Sequence, residues 1–199
     1  FTTIVKHMYY PETRRFLNQF NPDPATTCLV TGTKGKTTTT LLINHFFRQS
    51  FKNVVMVNTK GVYFNDKKKF SNQDSVNNFG TAATNTPGRY CYGLFRDEDY
   101  DFEQMALIFE TSLLSGVLST GLKHHHIGIL TNIYQDHIDG QRIRDRDDLY
   151  TLKSFIFREI KPGGKFVTNL DNDMGLRALQ ESVLAKKKIA KIGVSQEKK

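Results

Sequence analysis

Gly32-Thr33-Lys34-Gly35-Lys36-Thr37 sets two glycines, two lysines and two threonines in an order suited to holding a phosphate. Glycines let backbone N–H groups turn inward on anionic oxygens, and a helix opening after the loop adds its positive N-terminal end. Lys36 supplies a point charge and the Thr37 hydroxyl can hold Mg²⁺. A full P-loop carries a further glycine where this chain has Val30, so the match is the shorter G-x-x-G-K-T form. The expected nucleotide contacts run through Thr31, Gly32, Thr33, Lys34, Gly35, Lys36, Thr37 and Thr38. Further along stand Glu110, Asn132, Asp136, His137 and Lys153, each of a type that binds metal, orients a phosphate or moves a proton.

These residues need elements to bring them together, and the apolar pattern supplies them. Cys28-Leu29-Val30 reads as a short buried strand ahead of the loop, and Leu41, Leu42, Phe46 and Phe47 as the packed face of the helix after it. Val54-Val55-Met56-Val57 is a second strand, parallel to the first because a helix connects them. Gly61 to Phe64 and Lys68 to Phe70, around Asn65-Asp66, predict a hairpin on the rim. The polar, Asn-rich stretch from Ser71 to Thr86 predicts a long functional or mobile loop.

Met105 to Phe109 is a third strand that ends on Glu110, and Ile127 to Leu130 a fourth that ends on Thr131-Asn132, with Asp136-His137 just beyond. His124-His125-His126 reads as a polar turn entering that strand. Consecutive side chains on extended chain alternate, so the three do not converge on one metal. A helix from Asp147 carries Lys153 and ends at Lys161-Pro162-Gly163-Gly164; Phe166 to Thr168 is a fifth strand, and a further helix and a strand at Ile189 to Ile192 follow. The expected fold is α/β, a mostly parallel sheet with helices on both faces, P-loop-containing, with a small rim hairpin. Ligands gather at the carboxyl ends of such strands, where Gly32, Glu110, Asn132 and His137 would all lie. Taken singly, Glu110 could cap the next helix, His137 could be a loop histidine bonded to backbone, and Lys153 could be an exposed helix lysine.

Composition narrows the class. The chain has 199 residues, 38% hydrophobic and 24% charged, with a formal net charge of +8. That length allows one domain or a little more with its own core. The lysines cluster as Lys67 to Lys69, Lys186 to Lys188 and Lys198-Lys199, solvated turns and a helix end rather than a nucleic-acid-reading surface. No apolar run has the length of a membrane span. Cys28 and Cys91 give no disulfide framework, which predicts reduced thiols in a cytoplasmic protein. Residues 1–27 read as a lead-in or linker and 28–199 as one nucleotide-binding domain; the start at Phe1 predicts a piece of something longer.

Five motifs in order carry a resemblance. They are Val30-Thr-Gly-Thr-Lys-Gly-Lys-Thr-Thr, Glu110-Thr-Ser, Leu130-Thr-Asn-Ile-Tyr-Gln-Asp-His-Ile-Asp, Leu152-Lys-Ser, and Lys161-Pro-Gly-Gly-Lys-Phe-Val-Thr-Asn-Leu-Asp-Asn-Asp. Together they resemble the central ATPase domain of the Mur-type amide ligases, most of all the Mur-ligase part of cyanophycin synthetase, with peptidoglycan-precursor ligases and folylpolyglutamate synthase as neighbouring branches. The resemblance implies ATP-dependent joining of a carboxylate acceptor to an amino acid amine through an acyl phosphate. It implies Lys36 on the β- and γ-phosphates, Thr37, Glu110 and His137 on magnesium, Lys153 as a carbamylated lysine, and Asn132 and Asp136 as residues orienting the loop. Lys36, His137 and Lys153 would be the catalytic set. A C-terminal domain of the same chain, supplying amine specificity, is expected beyond Lys199. Two places depart from the pattern: Leu113-Leu114-Ser115-Gly116 replaces a glycine- and arginine-rich run, and Asn172 replaces the second acid of an Asn-x-Asp-Asp turn. A P-loop NTPase or phosphotransferase and a non-catalytic nucleotide-binding module share the same cradle and stand as alternatives.

Overall fold

The computed structural model describes residues 26–71, 73–74, 84, 87–88, 90, 94, 104–112, 120–136, 138, 143–184 and 188–196. Residues 1–25 of the expected 1–27 lead-in, most of the Asn-rich stretch, Cys91, Leu113 to Gly116 and His137 lie outside them, while Thr26 and Thr27 belong to the first strand. Among the described residues, eight strands form one sheet in the order β4-β3-β2-β5-β1-β6-β7-β8. They are β1 (Thr26–Thr31), β2 (Asn53–Asn58), β3 (Gly61–Phe64), β4 (Lys67–Ser71), β5 (Met105–Glu110), β6 (His125–Leu130), β7 (Ile160–Asn169) and β8 (Ala190–Val194). The helices are α1 (Lys36–Ser50), α2 (Arg146–Lys153), α3 (Phe155–Arg158) and α4 (Asp173–Leu184). All pairings are parallel except β2 with β3 and β3 with β4, the expected rim hairpin. No helix among the described residues is long and apolar enough to cross a membrane.

The central strands read as unbroken apolar runs because both their faces are covered. Alternation then sorts them: Val54, Met56, Ala106 and Ile108 meet Leu41, Ile43 and Phe47 of α1 on one face, while Leu29, Val55, Val57, Leu107 and Phe109 join the larger core on the other. Strand β1 sits between β5 and β6, so Val30 lies beside Glu110 and Thr31 beside Leu130. That register brings the loops after β1, β5 and β6 to one edge, where the order of the strands reverses.

Four details differ from the sequence reading. Helix α1 turns Leu42 and Phe46 to solvent, at 57% and 63% exposure, and buries Thr40 and Asn44. The inward polar pair is satisfied: Thr40 donates to the Thr37 carbonyl at 2.8 Å and Asn44 to Asp66 Oδ1 at 2.7 Å, so burying them carries no desolvation penalty large enough to rotate the helix. The histidine run is not a turn throughout. His125 and His126 lie in β6, His125 buried with Nε2 at 2.9 Å from the Ile156 carbonyl and His126 Nδ1 accepting from Thr27 N at 3.1 Å.

The helix carrying Lys153 starts earlier, at Arg146 behind an Asp145 cap that accepts from Asp148 N, and breaks at Ser154 before the single turn of α3. Lys161 to Gly164 belong to β7 rather than ending a helix. Between His125, opposite Ile160, and Ile127, opposite Lys165, the register shifts, so Pro162-Gly163-Gly164 forms a bulge with Gly163 at φ 83°. The hairpin turn is as expected, Asn65 and Asp66 both at positive φ, the two-residue turn that Asn and Asp tolerate best after glycine.

Candidate nucleotide and metal site

The loop after β1 is held from below by the loop after β6. Thr33 N donates to the Asn132 carbonyl at 2.9 Å, Lys34 N to Asn132 Oδ1 at 2.9 Å, and Tyr134 N to Thr33 Oγ1 at 3.0 Å. Thr131 Oγ1 and Asn132 Nδ2 both donate to the Lys34 carbonyl, at 2.7 and 3.1 Å. Gly32, at φ 142°, packs so closely here that a Cβ would fall 2.0 Å from Thr131 Oγ1. Asn132 therefore shapes the loop.

Helix α1 opens behind Gly35, at φ 82°, without a side-chain cap and without an acidic residue in its first turn. Its first N–H groups thus face the open edge with no carboxylate competing for them, the arrangement an anion needs. Lys36 Nζ folds back to the Thr33 carbonyl at 3.0 Å. Burial lowers the Lys36 pKa, and Glu110 and Asp136 oppose that shift. Thr38 is exposed beside it.

Glu110 ends β5 and reaches α1: Thr37 Oγ1 donates to its Oε2 at 2.9 Å. It is 1% exposed and sits at the strand's end with its carboxylate against the first turn of α1. A residue not singled out in the sequence joins them. Thr59 N donates to Glu110 Oε2 at 3.2 Å, and Thr59 Oγ1 lies 2.7 Å from Thr37 Oγ1. The rule that picked out Glu110 and Asn132, polar residues just past an apolar strand, would have found Thr59 after Val54 to Val57.

Lys153 is not an exposed helix lysine. It is 3% exposed, under β1, donating to the Ser112 carbonyl at 3.2 Å and to Thr31 Oγ1 at 3.4 Å. Its pKa is lowered from 10.5 to about 7, first by burial and then by the nearby Lys36 charge, with Asp136 and Glu110 opposing the shift. Thr31 is fully buried and also donates to the Thr111 carbonyl, so its side chain serves this pocket below the loop. The electrostatic coupling of both lysines to Glu110 and Asp136 makes Lys36, Glu110, Asp136 and Lys153 one charge cluster.

Asn172, the departure from the Asn-x-Asp-Asp outline, is 4% exposed and uses both halves of its amide. Oδ1 accepts from Ile133 N at 3.1 Å and from Gly175 N at 3.2 Å, and Nδ2 donates to the Ile133 carbonyl at 3.4 Å. A carboxylate could not make the last bond. Arg146 Nη2 reaches the same carbonyl at 3.1 Å.

The parallel sheet with its strand-order reversal, the glycine loop opening a helix, and the acid and lysine gathered at that edge have the layout of a P-loop-type fold with a candidate site at that edge. The chain belongs to the Mur ligase family: the model of the Mur ligase middle domain matches residues 30–199. Its curated relatives include the cyanophycin synthetase of Trichormus variabilis, 30% identical over 158 residues, and that of Synechocystis, 29% identical over 159. These alignments cover 78% and 79% of this chain, which spans 16% of the length of each relative.

Among solved structures, a UDP-N-acetylmuramoyl-L-alanyl-D-glutamate–2,6-diaminopimelate ligase matches with a TM-score of 0.62 at 17% identity, over 93% of this chain and 35% of that one. A bifunctional folylpolyglutamate synthase/dihydrofolate synthase with Mn, AMPPNP and L-glutamate bound matches with a TM-score of 0.59 at 17% identity, over 96% and 50%. These likenesses bear out the fold.

Proposed function

We propose that residues 28–199 are the ATP-binding central domain of a ligase that joins a carboxylate to an amino acid amine, cyanophycin synthetase-like in its nearest chemistry. The single observation that carries this reading is the Thr37–Glu110 hydrogen bond of 2.9 Å at the uncapped start of α1, beside Lys36. Families with this middle domain couple ATP to amide-bond formation, and the residues here fit the two groups that chemistry requires. The helix start and Lys36 suit the β- and γ-phosphates. The Thr37 hydroxyl and the Glu110 carboxylate are hard oxygen donors of the kind Mg²⁺ takes from protein, the rest of its shell being water and phosphate oxygens. His137 is proposed with them as a metal-binding and catalytic residue, on the family motif alone. Bound Mg²⁺ would supply charge neutralisation between the phosphates and an incoming carboxylate.

In the overall reaction the carboxylate oxygen takes the γ-phosphoryl group and ADP leaves; the amine then forms the C–N bond, releasing phosphate and a proton. The chain's own part is to bring anions together. Lys36 offsets phosphate charge, and the fixed loop presents N–H groups that need no reorganisation. With a pKa of about 7, roughly half of the Lys153 amines are uncharged at neutral pH. An uncharged amine adds to CO₂, forming an N–C bond and releasing one proton, so Lys153 is proposed to be carbamylated, which would replace a buried cation by an anion facing Lys36. The carboxylate acceptor, the amine and a C-terminal domain of the same protein are its proposed partners, and a cytoplasmic setting fits the demand for ATP.

ADP release by the full-length protein, across a panel of amino acids and carboxylates, tests the reading. Release that requires both partners is expected. Release indifferent to either would overturn it in favour of a simple NTPase.

A further inference from the structure

The two faces of the sheet are covered unequally. Helices α2, α3 and α4 pack on the face of Leu29, Leu130 and Phe166, whereas among the described residues only α1 packs on the other, over β2, β5 and β1. Beyond β1 that second face continues across β6, β7 and β8. Register carries one apolar row along it: Val30 beside Ile129, Ile129 beside Val167, and Val167 beside Ile192. Val30, at the α1 end, is fully buried, and Ile129 and Val167 are partly buried. Ile192 is 43% exposed, and Val194, on the same face of β8, 54%. Strands of a parallel sheet are apolar on both sides because helices cover both. Here the apolar residues are in place and the cover stops at β1.

Helix α1 supplies a wall to this open stretch. Asn44 and Arg48 both reach Asp66, on the side of the rim hairpin. Phe46 is two residues from each and so about 160° round the helix from both, which turns it outward on the flank toward β6. Its exposure therefore borders the same trough as Ile192 and Val194, with Ile129 and Val167 as the floor. Strands about 4.8 Å apart put β8 roughly 10 Å from β6, the width of one helix.

We propose that the trough between α1 and β8 seats one amphipathic helix from the part of the same protein that follows residue 199, its apolar side on Val167 and Ile192 and its flank against Phe46. A separate partner would leave this floor in water until it arrived, whereas a segment of the same chain covers it on folding. Chain of the required kind is present in the relatives, since this sequence spans 16% of the cyanophycin synthetases and 35% and 50% of the two solved structures. The last described strand, β8, also runs along the trough and ends on Val194. The seated helix would brace α1 on the flank opposite its Asp66 contacts, and so steady the helix that opens the glycine loop. Nothing in this placement depends on what that loop binds.

The test uses the full-length protein. Maleimide labelling of Ile192→Cys and Phe46→Cys is followed with the wild-type thiols as background. Both are expected to react at least about tenfold more slowly than free cysteine, because the seat must open first. Reaction at the rate of free cysteine would overturn the proposal. The photo-crosslinker p-benzoylphenylalanine, placed in turn at Phe46 and at Ile192, then identifies the cover by mass spectrometry. An aromatic replaces an aromatic at Phe46, so that position reports even if the change at Ile192 disturbs folding. Crosslinks within one chain, to one segment beyond residue 199, are expected. Crosslinks to a second copy, to residues before 200, or to nothing would overturn it.

Discussion

The mouth of the site and the pocket beneath it are built from the same strand edge in opposite ways. At the mouth, Thr37, Thr59 and the Glu110 carboxylate are tied to one another by side-chain hydrogen bonds at the edge of water, Thr59 being exposed. Beneath it, Lys153 and Thr31 are sealed among backbone carbonyls, and among the described residues the lysine donates to the Ser112 carbonyl and Thr31 Oγ1 rather than to a carboxylate. On the proposed reading, the mouth gives oxygen donors to a cation at little cost in stability. The pocket keeps an amine poised near neutrality, and the fold is less stable for it, because a charged form would be desolvated there. Function in this domain thus needs one region that is satisfied before ligand arrives and one that is not.

Glu110→Gln should separate the regions most sharply. The amide keeps an acceptor oxygen for Thr37 and Thr59, so stability should change by less than about 1 kcal/mol in denaturant titration. The charge for the cation is gone, and amine-dependent ADP release by the full-length protein should fall by at least about 100-fold. Equal losses of stability and activity would erase the contrast.

Lys153→Met tests the pocket from the other side. The unfolded chain holds a proton at this position up to pH near 10.5, whereas the folded chain releases it above about 7. Stability from this group is therefore lowest below pH 7 and rises between pH 7 and 10.5, where the unfolded state binds more protons. Methionine removes the dependence. Its melting temperature should exceed wild type by several degrees below pH 7, with the gap closing toward pH 10.5, while ligation is lost. A gap independent of pH would show that burial of charge is not what the pocket costs.

The smallest effect should come from Asn172→Asp, at the brace of the loop that joins the two regions. It deletes the donor to the Ile133 carbonyl and sets a carboxylate against that oxygen, for a loss of about 1–2 kcal/mol read from the midpoint of a urea transition with unchanged slope.

The shape of the glycine loop was legible because its glycines, lysine and threonine lie within one short segment, and the place of Glu110 because an apolar strand ends on it. Thr59 was within reach of the same strand-end rule, but its contact with Glu110 is made by the parallel register of β2 and β5, which no local pattern encodes. The inward face of α1 was misread for a related reason. Leu42 and Phe46 follow the periodicity of a buried stripe, but Thr40 and Asn44 find partners in Asn58 and Asp66, and long-range hydrogen bonds outweigh the local pattern. Likewise the burial of His125 and Lys153 depends on the backbone carbonyls of Ile156 and Ser112, each remote in sequence.

A crystal structure of the full-length protein with Mg²⁺ and a non-hydrolysable ATP analogue tests the central claim most directly. The account predicts the β- and γ-phosphates at the start of α1 against Lys36, the cation on oxygens of Thr37 and Glu110, and added density on Lys153 Nζ. An analogue seated away from α1, or a cation held by neither Thr37 nor Glu110, would contradict it.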